Sequence, residues 1–208
     1  MFKHAVRYVA ALSLAVGSMA VCAQESPWRF VAGLGYGSGG ETITSGTITT
    51  VGTNQVVPFQ IKPGSEYQLR VGGEYRLSER LAVQTTLGYS DVAPMGFNGS
   101  LNFTTVPVEL LGMFSLDKQW RVGAGIRKSY AEMKGSGVAS DSPVLGVYET
   151  SLGSVLELQY LLSSASQGSR STSSSQFGFS LRFVNEDYKR NGYSFGGNHY
   201  ELGIVLFH

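Results

Sequence analysis

The chain has 208 residues, of which 15% are charged, 12% are aromatic and 27 are glycine, and its formal net charge is +1. This balance argues against a nucleic-acid partner, because nucleic-acid-binding domains are usually basic. The histidines, the single cysteine and the acidic residues form no cluster at metal-ligand spacing, and no glycine-rich loop opens a helix, so we expect neither a metal nor another cofactor.

The first 23 residues have the pattern of a secretory signal peptide. Lys3 and Arg7 precede an apolar run, Tyr8–Val16, and a cleavage site of small residues ends at Ala23. The sequence therefore predicts a signal peptide over residues 1–23 and one mature domain over residues 24–208.

Two other interpretations of the N-terminus fit less well. The apolar run is too short for a transmembrane anchor and has no charged stop beyond it. A lipoprotein acylated at Cys22 would normally have Gly, Ala or Ser where this chain has Val21. Cleavage after Ala23 would leave fourteen basic against fifteen acidic residues, and would remove the only thiol, which suits an oxidising compartment.

Eight stretches of the mature chain alternate apolar residues with polar or small ones, which is the pattern of β-strands with one apolar face. Each is about ten residues long, the length that a tilted strand needs to cross a bilayer. Recurrent glycine and β-branched residues disfavour long helices. In chain order the stretches are Trp28–Tyr36, Tyr67–Leu77, Leu81–Tyr89, Val106–Leu116, Trp120–Arg127, Leu152–Leu162, Phe177–Val184 and Glu201–His208.

The fourth stretch contains a break in its alternation. Val106 and Val108 lie on its apolar face, whereas Leu101 and Phe103 have the opposite parity. We therefore expect a β-bulge, or the end of the strand, near residues 104 and 105.

The connections between the stretches alternate in length. Ser78–Glu79 and Asp117–Lys118 are tight turns, whereas the long connections are Ser38–Gly64, Asp91–Ser100, Ala131–Glu149 and, to a lesser degree, Asn185–Ser194. With a periplasmic N-terminus, all these long connections fall outside the cell, as in bacterial barrels. We expect any binding in the two longest, Ser38–Gly64 and Ala131–Glu149. The Ser-rich connection Ser163–Gln176 breaks the rule: it is a flexible insert, or its flanking strands extend further.

The apolar face carries aromatic residues at both ends of several stretches. The pairs are Trp28 and Tyr36, Tyr67 and Tyr75, and Trp120 and Tyr130. At a rise of about 3.3 Å per residue and a tilt of about 40°, their spacing matches the roughly 25 Å between the two interfacial girdles of a membrane barrel. A soluble β-sandwich or lipocalin-like barrel would instead carry scattered Lys and Glu on its wet face, and the glycines and paired charges here favour the membrane barrel.

Three segments carry a resemblance to a known family. They are Thr104–Leu110, the hairpin Asp117–Gly125 and the closing strand Glu201–His208, in which His208 stands where an aromatic residue is expected. Together with the signal peptide they resemble the OmpA/OmpX-like and opacity-like small outer-membrane β-barrels. The resemblance covers the mature chain and implies an all-β fold, an eight-stranded antiparallel up-and-down transmembrane β-barrel in the outer membrane of a Gram-negative bacterium.

The resemblance implies a location and a fold rather than an activity. We expect a structural or surface-interaction role, in adhesion or envelope integrity, that extracellular loops carry. The alternatives are an outer-membrane lipid A-modifying enzyme and a narrow porin-like pore for small solutes. The expected partners are outer-membrane lipid including lipopolysaccharide, the barrel assembly machinery, and host or envelope ligands that contact the loops. We expect a monomer.

The mixed face of the stretches carries charges of both signs, with glutamates mostly on even strands and arginines mostly on odd ones. These residues are Arg29, Arg70, Glu74, Arg76, Glu109, Arg121, Arg127, Glu157, Arg182 and Glu201. Because buried charges must be paired and an eight-stranded lumen is narrow, the pattern predicts a plug of ion pairs rather than a conduction path or catalytic carboxylates.

Catalysis has little support in the sequence. A Ser/His/acid arrangement would have to use His199 with Ser194 and either Asp187 or Glu201, and no motif surrounds this histidine. We therefore assign no catalytic, cofactor-binding or metal-binding residue.

Three basic residues lie near the predicted outer rim. Lys128, Lys189 and Arg190 are either lipopolysaccharide contacts or simply solvated residues.

Overall fold

A computed structural model describes residues 26–49, 55–93, 95–96, 99–162 and 175–208. The predicted signal peptide, and residues 163–174 of the predicted Ser-rich connection, lie outside the described residues. No helix among the described residues is long and apolar enough to cross a membrane.

Fourteen strands make up the regular structure of the described residues, six of them short. They are β1 (Trp28–Gly39), β2 (Thr44–Thr49), β3 (Val56–Ile61), β4 (Tyr67–Arg76), β5 (Leu81–Val92), β6 (Met95–Gly96), β7 (Gly99–Ser115), β8 (Trp120–Gly137), β9 (Gly146–Thr150), β10 (Gly153–Leu161), β11 (Gln176–Asn185), β12 (Asp187–Arg190), β13 (Tyr193–Gly196) and β14 (His199–Phe207).

The eight long strands form a closed antiparallel barrel. Each pairs with the next along the chain, in the order β1-β4-β5-β7-β8-β10-β11-β14. The barrel closes because β14 pairs with β1, with Phe207 opposite Val31 and His199 opposite Gly39. Closure gives every long strand two partners and leaves no barrel edge unpaired. The predicted eight-stranded up-and-down barrel is confirmed.

Two rings of aromatic side chains surround the outside of the barrel. One ring contains the contacting pairs Trp28–Tyr75 and Trp120–Tyr160, and the other contains Tyr36–Tyr67 and Phe183–Tyr200, with ring centroids 4.8–5.1 Å apart. Between them the outward side chains, such as Leu34 and Ile204, are apolar and exposed. An exposed apolar belt between two aromatic rings is the surface of a membrane-spanning barrel. The tight turns that follow β4 and β7 lie at the Trp28 ring, which is therefore the periplasmic one.

The prediction of a β-bulge near residues 104 and 105 was wrong, because strand β7 is continuous there. Its pairing with β8 runs without interruption from Gly99 opposite Gly137 to Ser115 opposite Arg121. Leu101 and Phe103 face the interior, as Glu109 does further along the strand. The alternation predicted from Val106 onwards was correct. The inward face of β7 is charged at Glu109, inside the membrane, and apolar at Phe103, beyond it. This change in character looked like a change of parity in the sequence.

The predicted long outer connections consist largely of ordered β-structure. Strands β13, β12, β9, β8, β7 and β6 form one side of an extension above the outer aromatic ring, and the hairpin β2–β3 forms a separate two-stranded sheet. We call this extension, formed by β2, β3, β6, β9, β12, β13 and the outer ends of β7 and β8, the outer crown. Its hairpin β12–β13 turns at Asn191 and Gly192, both with positive φ, which suits the tight turn.

The outer crown has its own apolar core. Phe103, fully buried, lies at its centre and makes edge-to-face contacts with Tyr148 and Tyr188 at centroid distances of 5.5 and 5.8 Å. The other buried members are Ile43, Ile61, Leu101, Ala131 and Met133. We call this cluster the outer cap, because it covers the outer mouth of the barrel with packed apolar side chains.

Candidate functional site in the lumen and outer crown

Near the periplasmic end of the lumen, one carboxylate holds two arginines. Glu74 is fully buried and accepts hydrogen bonds from Arg29 and, at 2.5 Å, from Arg121. Both guanidinium groups also lie against the ring of Phe207, with Cζ 4.6 and 5.2 Å from its centroid. Strand pairing places Glu74 directly opposite Arg29, so the local fold explains the first contact. The second contact, between Arg121 on β8 and Glu74 on β4, crosses the barrel.

In the middle of the lumen, Arg182 joins three carboxylates. Its guanidinium donates to Glu109 at 2.6 Å and to Glu201, and its Nε lies 3.2 Å from Glu157. Arg182 and Glu109 have side chains 0% and 1% exposed, so the centre of this network is buried. Glutamates and arginines on neighbouring strands are brought together because they share the inward parity, as the sequence predicted.

Arg127 extends the network towards the outer crown. It contacts Glu109 at 3.2 Å and donates through Nε to Glu186 at 3.0 Å. Glu186 also accepts hydrogen bonds from the backbone and hydroxyl of Ser129 and from the hydroxyl of Tyr188. From the sequence, Glu186 was assigned to the connection Asn185–Ser194 and not to the lumen. Its parity, which continues that of Arg182 and Val184, is the signal that would have identified it.

Two glycines create the space that these side chains occupy. A Cβ on Gly33 would lie 3.1 Å from the guanidinium of Arg70, which contacts Glu201 at 3.3 Å. Gly64 has a positive φ, and a Cβ there would lie 2.2 Å from the ring of His199. The two glycines therefore leave room for the guanidinium of Arg70 and the imidazole of His199 inside the narrow barrel.

The predicted ion-pair plug is confirmed in its geometry. Glu74 and Arg121 form one cluster, and Arg70, Glu109, Glu157, Arg182 and Glu201 form another together with Arg127. Arg76 departs from the prediction of a lumen position, since it lies exposed at the periplasmic rim. Phe207, Val31, Val205 and Leu161 form a second apolar cluster, against which Arg29 and Arg121 lie. A third contains Ala82, Leu111, Met113, Val155 and Val184.

The structure does not assemble the Ser/His/acid arrangement that was weighed for catalysis. His199 is buried in the lumen, with Nδ1 2.6 Å from the carbonyl oxygen of Gly197 and Nε2 3.0 Å from Glu201. Ser194 lies exposed in the outer crown, paired in register with Lys189. The histidine and its acid are therefore together, whereas the serine hydroxyl is on the surface.

A buried carboxyl lies just beyond the outer aromatic ring. Glu66 precedes Tyr67, accepts a hydrogen bond from Ser90 at 2.7 Å, and is 4% exposed. Its Oε2 has no hydrogen-bond partner among the described residues. Burial raises the pKa of Glu66 to about 7, although Ser90 and the nearby charges of His199 and Arg127 act in the opposite direction. This residue was not identified from the sequence.

The three basic residues predicted near the outer rim differ in their surroundings. Lys128 lies on the outward face beside Tyr130 and donates to the carbonyl oxygen of Thr150. Arg190 donates to the carbonyl oxygen of Val147 and lies over the ring of Tyr148, whereas Lys189 is exposed.

The geometry defines an eight-stranded transmembrane β-barrel of the bacterial outer-membrane type, with a lumen filled by ion pairs and buried apolar side chains. Among solved structures it is similar to Ail, the attachment invasion locus protein of Yersinia pestis, in complex with the heparin analogue sucrose octasulfate. The match covers 87% of this chain and 99% of that one, with 12% identity and a TM-score of 0.50.

Neisserial surface protein A also matches, with 12% identity, 88% and 96% coverage and a TM-score of 0.47. OprG from Pseudomonas aeruginosa matches with 11% identity, 89% and 97% coverage and a TM-score of 0.40. No family model and no curated protein matches the chain. At these identities the likeness concerns the fold.

Proposed function

We propose that this outer-membrane barrel is a non-conducting, non-enzymatic scaffold whose outer crown contacts ligands at the cell surface, in adhesion or envelope integrity. The filled lumen supports the first part, because charged side chains that are at most 7% exposed in its central network occupy the space that a solute or substrate would need. The surface that is left for recognition on the outer side is the crown.

The observation that carries the proposal is a group of apolar side chains exposed to water rather than to lipid. Val56 and Val57 on β3 are 65% and 41% exposed, and Val138, between β8 and β9, is 76% exposed. They lie in Ser38–Gly64 and Ala131–Glu149, the two segments in which binding was expected. Exposed apolar groups outside the membrane belt, on ordered hairpins, favour contact with a partner.

The test shortens the exposed hairpin without disturbing the outer cap. Gly46 and Phe59 are directly opposed in β2 and β3, so an Asn-Gly turn can replace residues 47–58 while Phe59, which packs against the outer cap, stays in place with Ile43 and Ile61. This variant is combined with Val138→Ser. We expect a barrel that remains folded, as its heat-modifiable gel mobility reports, and that loses adhesion to host cells or matrix ligands.

Heparin is included as one probe because the Ail structure contains a heparin analogue. The matched control is Glu109→Gln, which changes the lumen and leaves the crown surface intact, so adhesion should persist. Adhesion that survives the crown variant unchanged contradicts the proposal.

We also propose that signal cleavage after Ala23 precedes assembly by the barrel assembly machinery, and that the mature barrel is a monomer in contact with lipopolysaccharide. N-terminal sequencing of the protein from outer membranes should begin at Gln24; residues before Ala23 in the mature protein contradict the cleavage site.

A further inference from the structure

The periplasmic end of the barrel carries an open cleft of about 570 Å³ whose lining is rich in cations. Arg29 and Arg121 form its floor, and Arg76, Arg80 and Lys118 surround its rim. The acidic residues in the lining are Glu79 and Asp117. The cleft therefore has five cationic side chains against two carboxylates, before the buried Glu74 is counted.

The floor of the cleft keeps a surplus of positive charge. Arg29 and Arg121 share the single carboxylate of Glu74, so their two positive charges are balanced by one negative charge. The Nε of each arginine also has no hydrogen-bond acceptor among the described residues. The side chain of Arg121 is only 4% exposed, and a guanidinium donor in such a place gains from an anionic acceptor.

The turn residues at the rim do not remove this surplus. Asp117 accepts hydrogen bonds from the backbone N–H groups of Gln119 and Trp120, both at 2.7 Å, and these bonds lower the pKa of its carboxyl, which stays ionised within its own turn. With Glu74 counted as well, five cationic side chains stand against three carboxylates, so the surplus of positive charge remains.

The cleft also reaches the lipid-facing surface. Leu116, which is 52% exposed on the outward face, belongs to its lining, and Trp120 of the periplasmic aromatic ring begins the next strand. An occupant would thus have its anionic group among the arginines and an apolar part beside Leu116. A soluble anion uses only the first of these features, whereas a phospholipid uses both.

We propose that this cleft binds the phosphate of an anionic phospholipid headgroup from the periplasmic leaflet of the outer membrane. Arg121 and Arg29 provide guanidinium donors to the phosphate oxygens, and Arg80 and Lys118 attract the headgroup from the rim. The site lies at the opposite end of the barrel from the crown, so it is independent of the proposed surface role.

The test compares lipid retention by the full-length mature barrel and a double variant, Arg80→Gln with Lys118→Gln. Both residues lie in exposed turns, so the barrel should fold normally. Native mass spectrometry of the detergent-purified protein measures the binding of added phosphatidylglycerol and, separately, of phosphatidylcholine. We expect preferential binding of phosphatidylglycerol by the wild type, weakened about tenfold in the variant, as loss of about 1.4 kcal/mol of charge-assisted contact would give.

The matched control makes the same charge change in the outer crown, at Lys134 and Lys189, and should retain phosphatidylglycerol as the wild type does. Equal binding of the two lipids, or equal binding by the rim variant and the wild type, overturns the proposal. Phosphorus NMR with inorganic phosphate separates the two sources of phosphate. If inorganic phosphate binds and phosphatidylglycerol does not, the site is a solute site and the lipid assignment is wrong.

Discussion

Replacing Arg182 by methionine removes the cation on which the lumen network converges, while it keeps most of the side-chain volume. The network contains three guanidiniums, from Arg70, Arg127 and Arg182, and four carboxylates, from Glu109, Glu157, Glu186 and Glu201. After the substitution, two guanidiniums remain for four carboxylates, and Glu157 loses its arginine.

The expected cost is about 3–5 kcal/mol of unfolding free energy, the range for removing one partner of a buried ion pair. Glu109→Ala should cost less than Arg182→Met, because it leaves three guanidiniums with three carboxylates and Arg182 keeps Glu157 and Glu201. The double variant should cost about 0.5–3 kcal/mol less than the sum of the two single-variant costs, because Arg182 and Glu109 contact each other.

Urea unfolding of the barrel in detergent micelles measures these costs. Trp28 and Trp120 are the only two tryptophans, and both lie in the periplasmic aromatic ring, so their fluorescence reports the loss of the barrel. The control is Glu132→Ala, which breaks the exposed pair with Lys134 and should cost less than about 1 kcal/mol. The reasoning is refuted if Arg182→Met costs no more than this control, or if its cost is simply additive with that of Glu109→Ala.

Two further predictions concern the outer end of the barrel. Phe103→Ala should cost about 3–5 kcal/mol through the cavity left in the outer cap, and limited proteolysis should then cleave the crown of a barrel that stays folded; an uncut crown contradicts a central role for Phe103. Because the folded pKa of Glu66 is raised to about 7 from 4.5, the folded state holds a proton that the unfolded state loses, and Glu66 makes stability fall as pH rises between these values. Glu66→Gln should remove this pH dependence. The difference in unfolding free energy between wild type and variant should therefore change by about 3 kcal/mol between pH 4.5 and 8. A difference that does not change with pH contradicts the assignment.

The barrel strands and most of the lumen charges could be predicted from the sequence because both follow the two-residue period of a strand. Arg182 and Glu201 lie opposite each other in the structure and share the inward parity that their sequence positions predict. Such local alternation needs no knowledge of which strands are neighbours, because an antiparallel up-and-down order places consecutive strands side by side.

The outer cap could not be predicted in the same way. Ile43, Phe103 and Tyr148 come from segments far apart in the chain. Only the closed barrel brings these segments to one mouth. Glu66 and Glu186 were missed for the same reason, since they lie just beyond the strand ends, where the alternation was taken to stop.

Current through single barrels in a planar lipid bilayer tests the central claim most directly. We expect the wild-type barrel to carry no steady single-channel current, because the paired side chains of Arg182, Glu109 and Glu201 and the buried apolar clusters fill the lumen. Steady currents from the wild type, altered in conductance by Glu109→Ala, would show that the lumen is a pore and would contradict a function located in the outer crown.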